Sequence, residues 1–284
     1  MKPLFRNYLN LTKPRLTLMA VATVSSGFYL ASRGPFILWP LFHALIGAAL
    51  IGAGANALNQ YLERTADAKM DRTKDRPLPA KKIKETDALV FGLCTALAGM
   101  AYLYFFTNPL SASFGIATLL SYLLLYTPLK QKTWLNTFVG AVSGALPTLI
   151  GWSAARNRLD AGAWVLFLIL FLWQMPHFFA IAWVYREDYK NGGFKMLPVI
   201  DTEGRLTGIQ IAVFSVLLFL ASLLPTIVGL TGLLYLSAAL FSGLLYLTLT
   251  LYVSTHKITY AKPLVSVSIC YLAVLNIFLW FDKV

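Results

Sequence analysis

Residues 38–58 read LWPLFHALIGAALIGAGANAL, and residues 59–79 read NQYLERTADAKMDRTKDRPLP. The first stretch has no Asp, Glu, Lys or Arg. At 1.5 Å per helical residue it is long enough to cross the roughly 30 Å hydrocarbon core of a bilayer. The second turns abruptly polar. Three carboxylates, Glu63, Asp67 and Asp71, follow Asn59 at intervals of four, among arginines and lysines. The pair predicts a membrane helix that surfaces near Asn59 and carries a charged ladder out of the membrane.

Working outward, the same alternation repeats. The chain has 284 residues, of which 58% are hydrophobic and 13% charged. Soluble domains carry about 25% charged residues, so a large soluble helical protein is excluded. Nine spans are expected, near 16–32, 37–60, 87–106, 110–127, 136–155, 162–184, 207–228, 232–253 and 263–281. Short turns such as SRGP, TNPL and GLTG join some of them. Residues 1–284 read as one polytopic domain, an all-α integral membrane protein. Cys94 and Cys270 lie in apolar spans as expected packing residues, and the first fifteen residues show no removable signal peptide.

The formal net charge of +12 does not point to nucleic acid. Of the 24 lysines and arginines, twenty fall on one side of the expected spans; Arg33, Arg156, Arg158 and Lys283 fall on the other. The positive-inside rule then places the N-terminus in the cytoplasm and, with nine spans, the C-terminus outside. Every polar cluster of note gathers on the cytoplasmic face. An acidic and basic loop follows both the second and the sixth span, a weak internal echo.

On a helix, residues four apart advance about 6 Å and turn by only about 40°. Asn59 and Glu63 then sit near the membrane boundary. Asp67 and Asp71 converge on one divalent cation if the helix continues that far. Magnesium takes carboxylate, phosphate and water oxygens, and Arg72, Lys74 and Arg76 supply cations for a diphosphate. A solvated loop of helix-stabilising ion pairs is the alternative. A second cluster, YTPLKQKTWLN, brings Lys130 and Asn136 to the same surface. Gly140, Gly144 and Gly151 thin the following span, either for close packing or to leave room for a ligand. A third, WQMPHFFAIAWVYREDYKNGGFKMLPV, contains His177 within a span and Glu187 and Asp188 at its end. Polar groups at such depth are costly and point to function. A hydrogen-bonded packing histidine is the alternative. Eleven residues of continuous helix would put His177 and Asp188 on nearly one face.

Together these stretches carry a resemblance. Asn59, Glu63, Asp67, Asp71, Arg72, Thr73, Arg76, Pro77 and Leu78 match a pattern that resembles the first motif of the protoheme IX farnesyltransferases, the haem O synthases. These are a branch of the UbiA-like intramembrane prenyltransferases. The YTPLK and WQMPH stretches and LTKPRLT (residues 11–17) are similar to the same branch. The resemblance implies nine helices around a central cavity, and transfer of a farnesyl group from farnesyl diphosphate to haem B with Mg²⁺. It places Asn59, Glu63, Asp67 and Asp71 at the catalytic diphosphate–metal site, with Arg72 and Arg76 beside it and Lys130 and Asn136 at the second loop; Lys74, from the same basic loop, is the further expected diphosphate contact. Asp67, Asp71 and Asp188 are its expected metal ligands, and His177 is a candidate contact for haem. It further implies a place in the cell inner membrane and assembly partners such as haem A synthase or a terminal oxidase. Val184, four residues before Asp188, departs from the paired aspartates of other branches. Two alternatives remain: a prenyltransferase for a quinone precursor or chlorophyllide, and a transporter of phosphorylated metabolites.

Overall fold

The structure is a computed structural model that describes residues 2–33, 38–256 and 261–284. Part of the expected SRGP turn (Gly34 and Pro35), the His256 side chain and Lys257 lie outside what is described. The helices are α1 (Lys2–Leu11), α2 (Pro14–Ala31), α3 (Leu38–Asp67), α4 (Glu85–Phe106) and α5 (Pro109–Leu120). A π-helical segment, Ser121–Tyr126, leads into α6 (Thr127–Leu129). Then come α7 (Asn136–Arg156), α8 (Ala161–Val184), α9 (Arg186–Asn191), α10 (Leu197–Ile200), α11 (Arg205–Ser222), α12 (Leu224–Ile227), α13 (Leu233–His256) and α14 (Ala261–Phe281).

Eight helical segments among the described residues are long and apolar enough to cross a membrane. They coincide with eight of the nine expected spans. The remaining one, α2, is helical but carries Arg15 and several hydroxyls, and it is not among the eight. The chain is therefore an all-α polytopic membrane protein. Cys94 and Cys270, expected as packing residues, are instead exposed on the bundle surface.

Small residues set the closest contacts. A Cβ on Gly54 would stand 2.6 Å from the Ala96 backbone nitrogen, and one on Gly99 would stand 2.7 Å from that of Ile51. No side chain fits there, so α3 and α4 pack backbone to backbone, as membrane helices with small residues do. Helix α7 is the shared wall of two cores. On one side Ile150 meets Val24, Ile51 and Leu103 from α2, α3 and α4. On the other, Trp152 and Leu149 join Phe179 of α8, Ile211 of α11 and Leu275 of α14.

The thirty residues of α3 span about 45 Å, more than the hydrocarbon thickness. Its last two turns are thereby carried to one end of the bundle. The helix stops at Asp67. Met70, just beyond, is buried with Ala66, Ala182, Phe194 and Met196, and this small apolar cluster draws the chain into turns. The expected continuation of the ladder to Asp71 on helical geometry therefore fails. Helix α8 likewise ends at Val184, and Tyr185 (φ −109°, ψ 27°) breaks it from α9. His177 and Asp188 are thus not on one continuous helix face.

Candidate active site

A cavity of about 1260 Å³ runs through the bundle, from Lys13, Glu63 and Asp67 at one end to Tyr29, Trp280 and Phe281 at the other. Single-ligand pockets are commonly about 300–1,000 Å³, so this one has room for two substrates. Its walls are mostly apolar. Its polar groups concentrate where α3 ends.

There the ladder meets a second ladder, of cations. Lys13 donates from Nζ to Asn59 Oδ1 at 2.8 Å. Lys130 Nζ lies 2.7 Å from Glu63 Oε1. Arg76 Nη1 lies 2.7 Å from Asp67 Oδ2. Each rung thus has its own cation, and the three cations come from three separate connections of the chain. Asn59 also donates to Thr127 Oγ1 at 3.2 Å, which in turn donates to the Tyr122 carbonyl in the π-helical segment. The Lys130 ammonium stands 4.5 Å from the centre of the Tyr126 ring, an attractive cation–π placement.

Charge inside such a site depends on its neighbours. Burial works against the ammonium of Lys130, but Glu63 and the nearby tyrosines outweigh it and raise its pKa. Lys13 is the opposite case. Burial, reinforced by Arg76 and Lys130 and only partly offset by Glu63 and Asp67, lowers it to about 7. Asp71, at the surface, is held below the usual carboxylate range by the hydrogen bond and charge of Lys74.

Two oxygens remain open. Asp67 Oδ1 and Asn136 Oδ1 are buried on the cavity wall without a hydrogen-bond partner. A buried carboxylate oxygen left unpaired is costly and marks a place for a cation or a donor. The surrounding donors are hard oxygens, which suit Mg²⁺. Among the described residues no three His, Cys, Asp or Glu side chains already converge on one point.

The expected residues therefore separate. Asn59, Glu63, Asp67, Arg72, Arg76, Lys130, Asn136 and His177 all line the cavity. Asp71, Lys74 and Asp188 do not; they stand together outside it. Lys74 pairs with the exposed Asp71 at 2.6 Å, and the Asp71 backbone N–H donates to Asp188 Oδ1 at 3.1 Å. Arg72 ties the two acidic loops to each other: its guanidinium stacks 4.5 Å from the Tyr185 ring and donates to the Tyr189 hydroxyl at 3.2 Å. Lys195 N donates to the Lys130 carbonyl at 2.7 Å and joins the third connection to them. Glu187 lies near Arg186 at 3.5 Å, 72% exposed and away from the cavity.

Sequence reading missed Lys13, Tyr122, Tyr126 and Thr127. Lys13 lies in the LTKPRLT stretch and among the cations that set membrane orientation, but was given no place in the site. Its signal was the Lys-Pro step: Pro14 starts α2, and Lys13 before it adopts a left-handed backbone (φ 45°). That turn places the lysine against Asn59. The glycines of α7 divide between the two expectations. Gly151 packs against the α2 backbone, whereas Gly140 and Gly144 line the cavity beside Tyr126 and Gln174.

Comparison with known proteins assigns the lineage. The chain belongs to the UbiA prenyltransferase family, which matches it over residues 20–277. It is 41% identical to the protoheme IX farnesyltransferase of Solibacter usitatus, over 98% of this chain and 99% of that protein. It is 38% identical to that of Koribacter versatilis, over 99% of this chain and 94% of that protein. Among solved structures, digeranylgeranylglyceryl phosphate synthase superposes with a TM-score of 0.83 at 18% identity, covering 99% of both chains. A UbiA homolog from Archaeoglobus fulgidus, solved bound to GPP and Mg²⁺, gives 0.73 at 16% identity over 97% of this chain and 99% of that one. These two share the fold.

Proposed function

We propose that this enzyme transfers the farnesyl group of farnesyl diphosphate to a vinyl group of haem B, giving haem O and diphosphate. The observation that carries the reading is the doubled ladder at the mouth of a two-substrate cavity: three oxygen-bearing rungs, each held by a cation. Such a set is built to exchange partners. A diphosphate entering with a divalent cation takes Lys13, Lys130 and Arg76 onto its oxygens and frees Glu63 and Asp67 for the metal. Charge is conserved in the exchange, so no buried ion is left alone, which would cost several kcal/mol.

Asp67 is the first expected Mg²⁺ ligand, through its open Oδ1, with Asp71 and Asp188 brought in from the two acidic loops. Mg²⁺ would supply neutralisation of the charge that develops on the departing diphosphate. The chain's own part is positional. Lys130, Arg76 and Lys13 hold the diphosphate oxygens, with Arg72 and the Asn136 amide at the rim. The apolar walls keep water from the electron-poor farnesyl carbon until the vinyl carbon attacks it. The adjacent carbon of the acceptor becomes cationic, and one water added there supplies the hydroxyl and releases a proton. Lys74, paired outside the cavity, guides the diphosphate on approach. His177 is the haem contact within the cavity.

The same reading makes α2 a ninth span with the N-terminus cytoplasmic and the C-terminus outside, in the cell inner membrane. Haem A synthase or terminal oxidase assembly factors are the expected partners, and 1–284 the single catalytic domain. The preponderance of basic residues on the ladder's side supports that orientation. A quinone-precursor or chlorophyllide acceptor is disfavoured by the extent of identity to protoheme IX farnesyltransferases. The deciding experiment is mass spectrometry of purified protein supplied with haem B, farnesyl diphosphate and Mg²⁺. Appearance of hydroxyethylfarnesyl haem is expected. Its absence, with product formed on a quinone precursor instead, would overturn the acceptor.

A further inference from the structure

The cavity contains a histidine whose two ring nitrogens stand in different surroundings. His177 is 7% exposed and lies on the cavity wall. Its Nδ1 is 2.7 Å from Ser268 Oγ of α14. That hydroxyl has one hydrogen, and the Val265 carbonyl, 2.7 Å from the same oxygen, is an acceptor for it. A carbonyl only accepts, so toward His177 the serine oxygen is the acceptor. In that arrangement the ring carries its proton on Nδ1, and Nε2 keeps its lone pair. Among the described residues Nε2 has no hydrogen-bond partner, and it is not sealed from the cavity.

Ser268 anchors the neighbouring ring as well. Its backbone carbonyl accepts from Trp173 Nε1 at 2.6 Å. Trp173, one turn before His177 on α8, stacks on the imidazole with ring centres 4.8 Å apart and planes 18° apart. One face of the imidazole is covered, and Nδ1 is tied to a residue that lies outside the cavity lining. What remains presented to a ligand is the edge with the unprotonated nitrogen. A histidine that binds a metal commonly donates its other N–H to a fixed acceptor in this way, which sets the tautomer and the ring orientation.

We infer that His177 Nε2 ligates the iron of the porphyrin acceptor and that Ser268 is the positioning residue that keeps this nitrogen unprotonated and aimed. The inference rests on the haem reading above and deepens it. It gives the acceptor an anchor between α8 and α14, on the wall of the same cavity that the ladder lines.

The test compares haem B with iron-free protoporphyrin IX on detergent-purified protein, by absorption titration. Wild type is expected to give a histidine-ligated Soret band with haem B, and His177→Ala to lose it. Ser268→Ala should weaken haem B binding about tenfold, the lower end for losing such a supporting hydrogen bond, and leave protoporphyrin IX unchanged. Ser268→Thr, which keeps the hydroxyl, should restore haem binding. The Trp173 bond goes to the backbone and survives either substitution. Equal weakening of both porphyrins by Ser268→Ala would make the pair a packing contact and overturn the inference. So would an unchanged haem spectrum in His177→Ala. Failure of wild type to convert haem B at all is a separate result, and it would sink the acceptor assignment instead.

Discussion

The ends of α3 and α8 are chemically alike in sequence and unlike in space. Each carries carboxylates beside basic residues where an apolar helix ends. At the end of α3, Glu63 is 5% and Asp67 0% exposed, and each is paired with a cation, Lys130 from the loop before α7 and Arg76 nine residues beyond Asp67. At the end of α8, Glu187 is exposed, and Asp188 accepts a backbone N–H from the opposite loop. The difference is one of desolvation. A buried carboxylate must be paired, and its pairing is strong and directional; an exposed one is screened and contributes little until a ligand draws it in. One acidic motif is thereby desolvated and already paired, and the other stays exposed until, under the proposed function, a ligand draws it in.

Several substitutions break or sharpen that contrast. The largest effect is expected for Glu63→Gln, which strands Lys130 in the interior. Removing one partner of a buried pair costs about 3–5 kcal/mol. Thermal unfolding should fall well below wild type, and farnesyl transfer should be lost. Unchanged unfolding would show that the pair is solvated. Asp67→Asn and Asp71→Asn are next, each lowering Mg²⁺-dependent turnover about a hundredfold or more, the scale of removing one preorganised electrostatic contact. They differ in stability: Asp67→Asn should also lower the unfolding temperature, because it unpairs Arg76, whereas the exposed Asp71→Asn should not. Near-normal rates in both would end the metal assignment.

Arg76→Ala should raise the farnesyl diphosphate requirement about tenfold or more, with haem affinity little changed; titrating each substrate separately checks this. The reverse pattern would move Arg76 to the porphyrin. A pH effect follows from Lys13. Its pKa is lowered to about 7. Above that pH the free enzyme holds a neutral amine, and binding a polyanion must recruit a proton. Affinity for diphosphate is therefore full below about pH 7 and falls as pH rises toward about 9, with proton uptake on binding measurable by calorimetry in buffers of different ionisation heat. Lys13→Arg, charged throughout, should flatten that slope. Lys74→Ala should have the smallest effect. Its partner Asp71 is exposed, so stability should not change, and only a salt-sensitive slowing of diphosphate capture is expected.

Much of this molecule was legible before any coordinates. Eight of the expected spans coincide with apolar helices of membrane length because hydropathy over such a length is a local property. The ladder of Asn59, Glu63 and Asp67 was equally visible, since a spacing of four on one helix needs no partner to define its face. Extrapolating that spacing past Asp67 failed for an equally physical reason. The buried Met70 cluster, made with residues more than a hundred positions away, ends the helix. The joint reach from His177 to Asp188 failed at Tyr185 in the same manner.

What the sequence determined by itself is thus the set of helices, the side on which charge collects and the rungs that face outward together. Only the tertiary structure decided who answers each rung and each buried nitrogen. Lys13 meets Asn59 across 46 positions, Lys130 meets Glu63 across 67, and Ser268 meets His177 across 91. No periodicity encodes such pairs. They follow from how small residues let α2, α3 and α7 approach and from how α14 closes against α8. The buried charges of Glu63 and Asp67 are then each given a cation, because in a low-dielectric interior an unpaired charge is the costlier state.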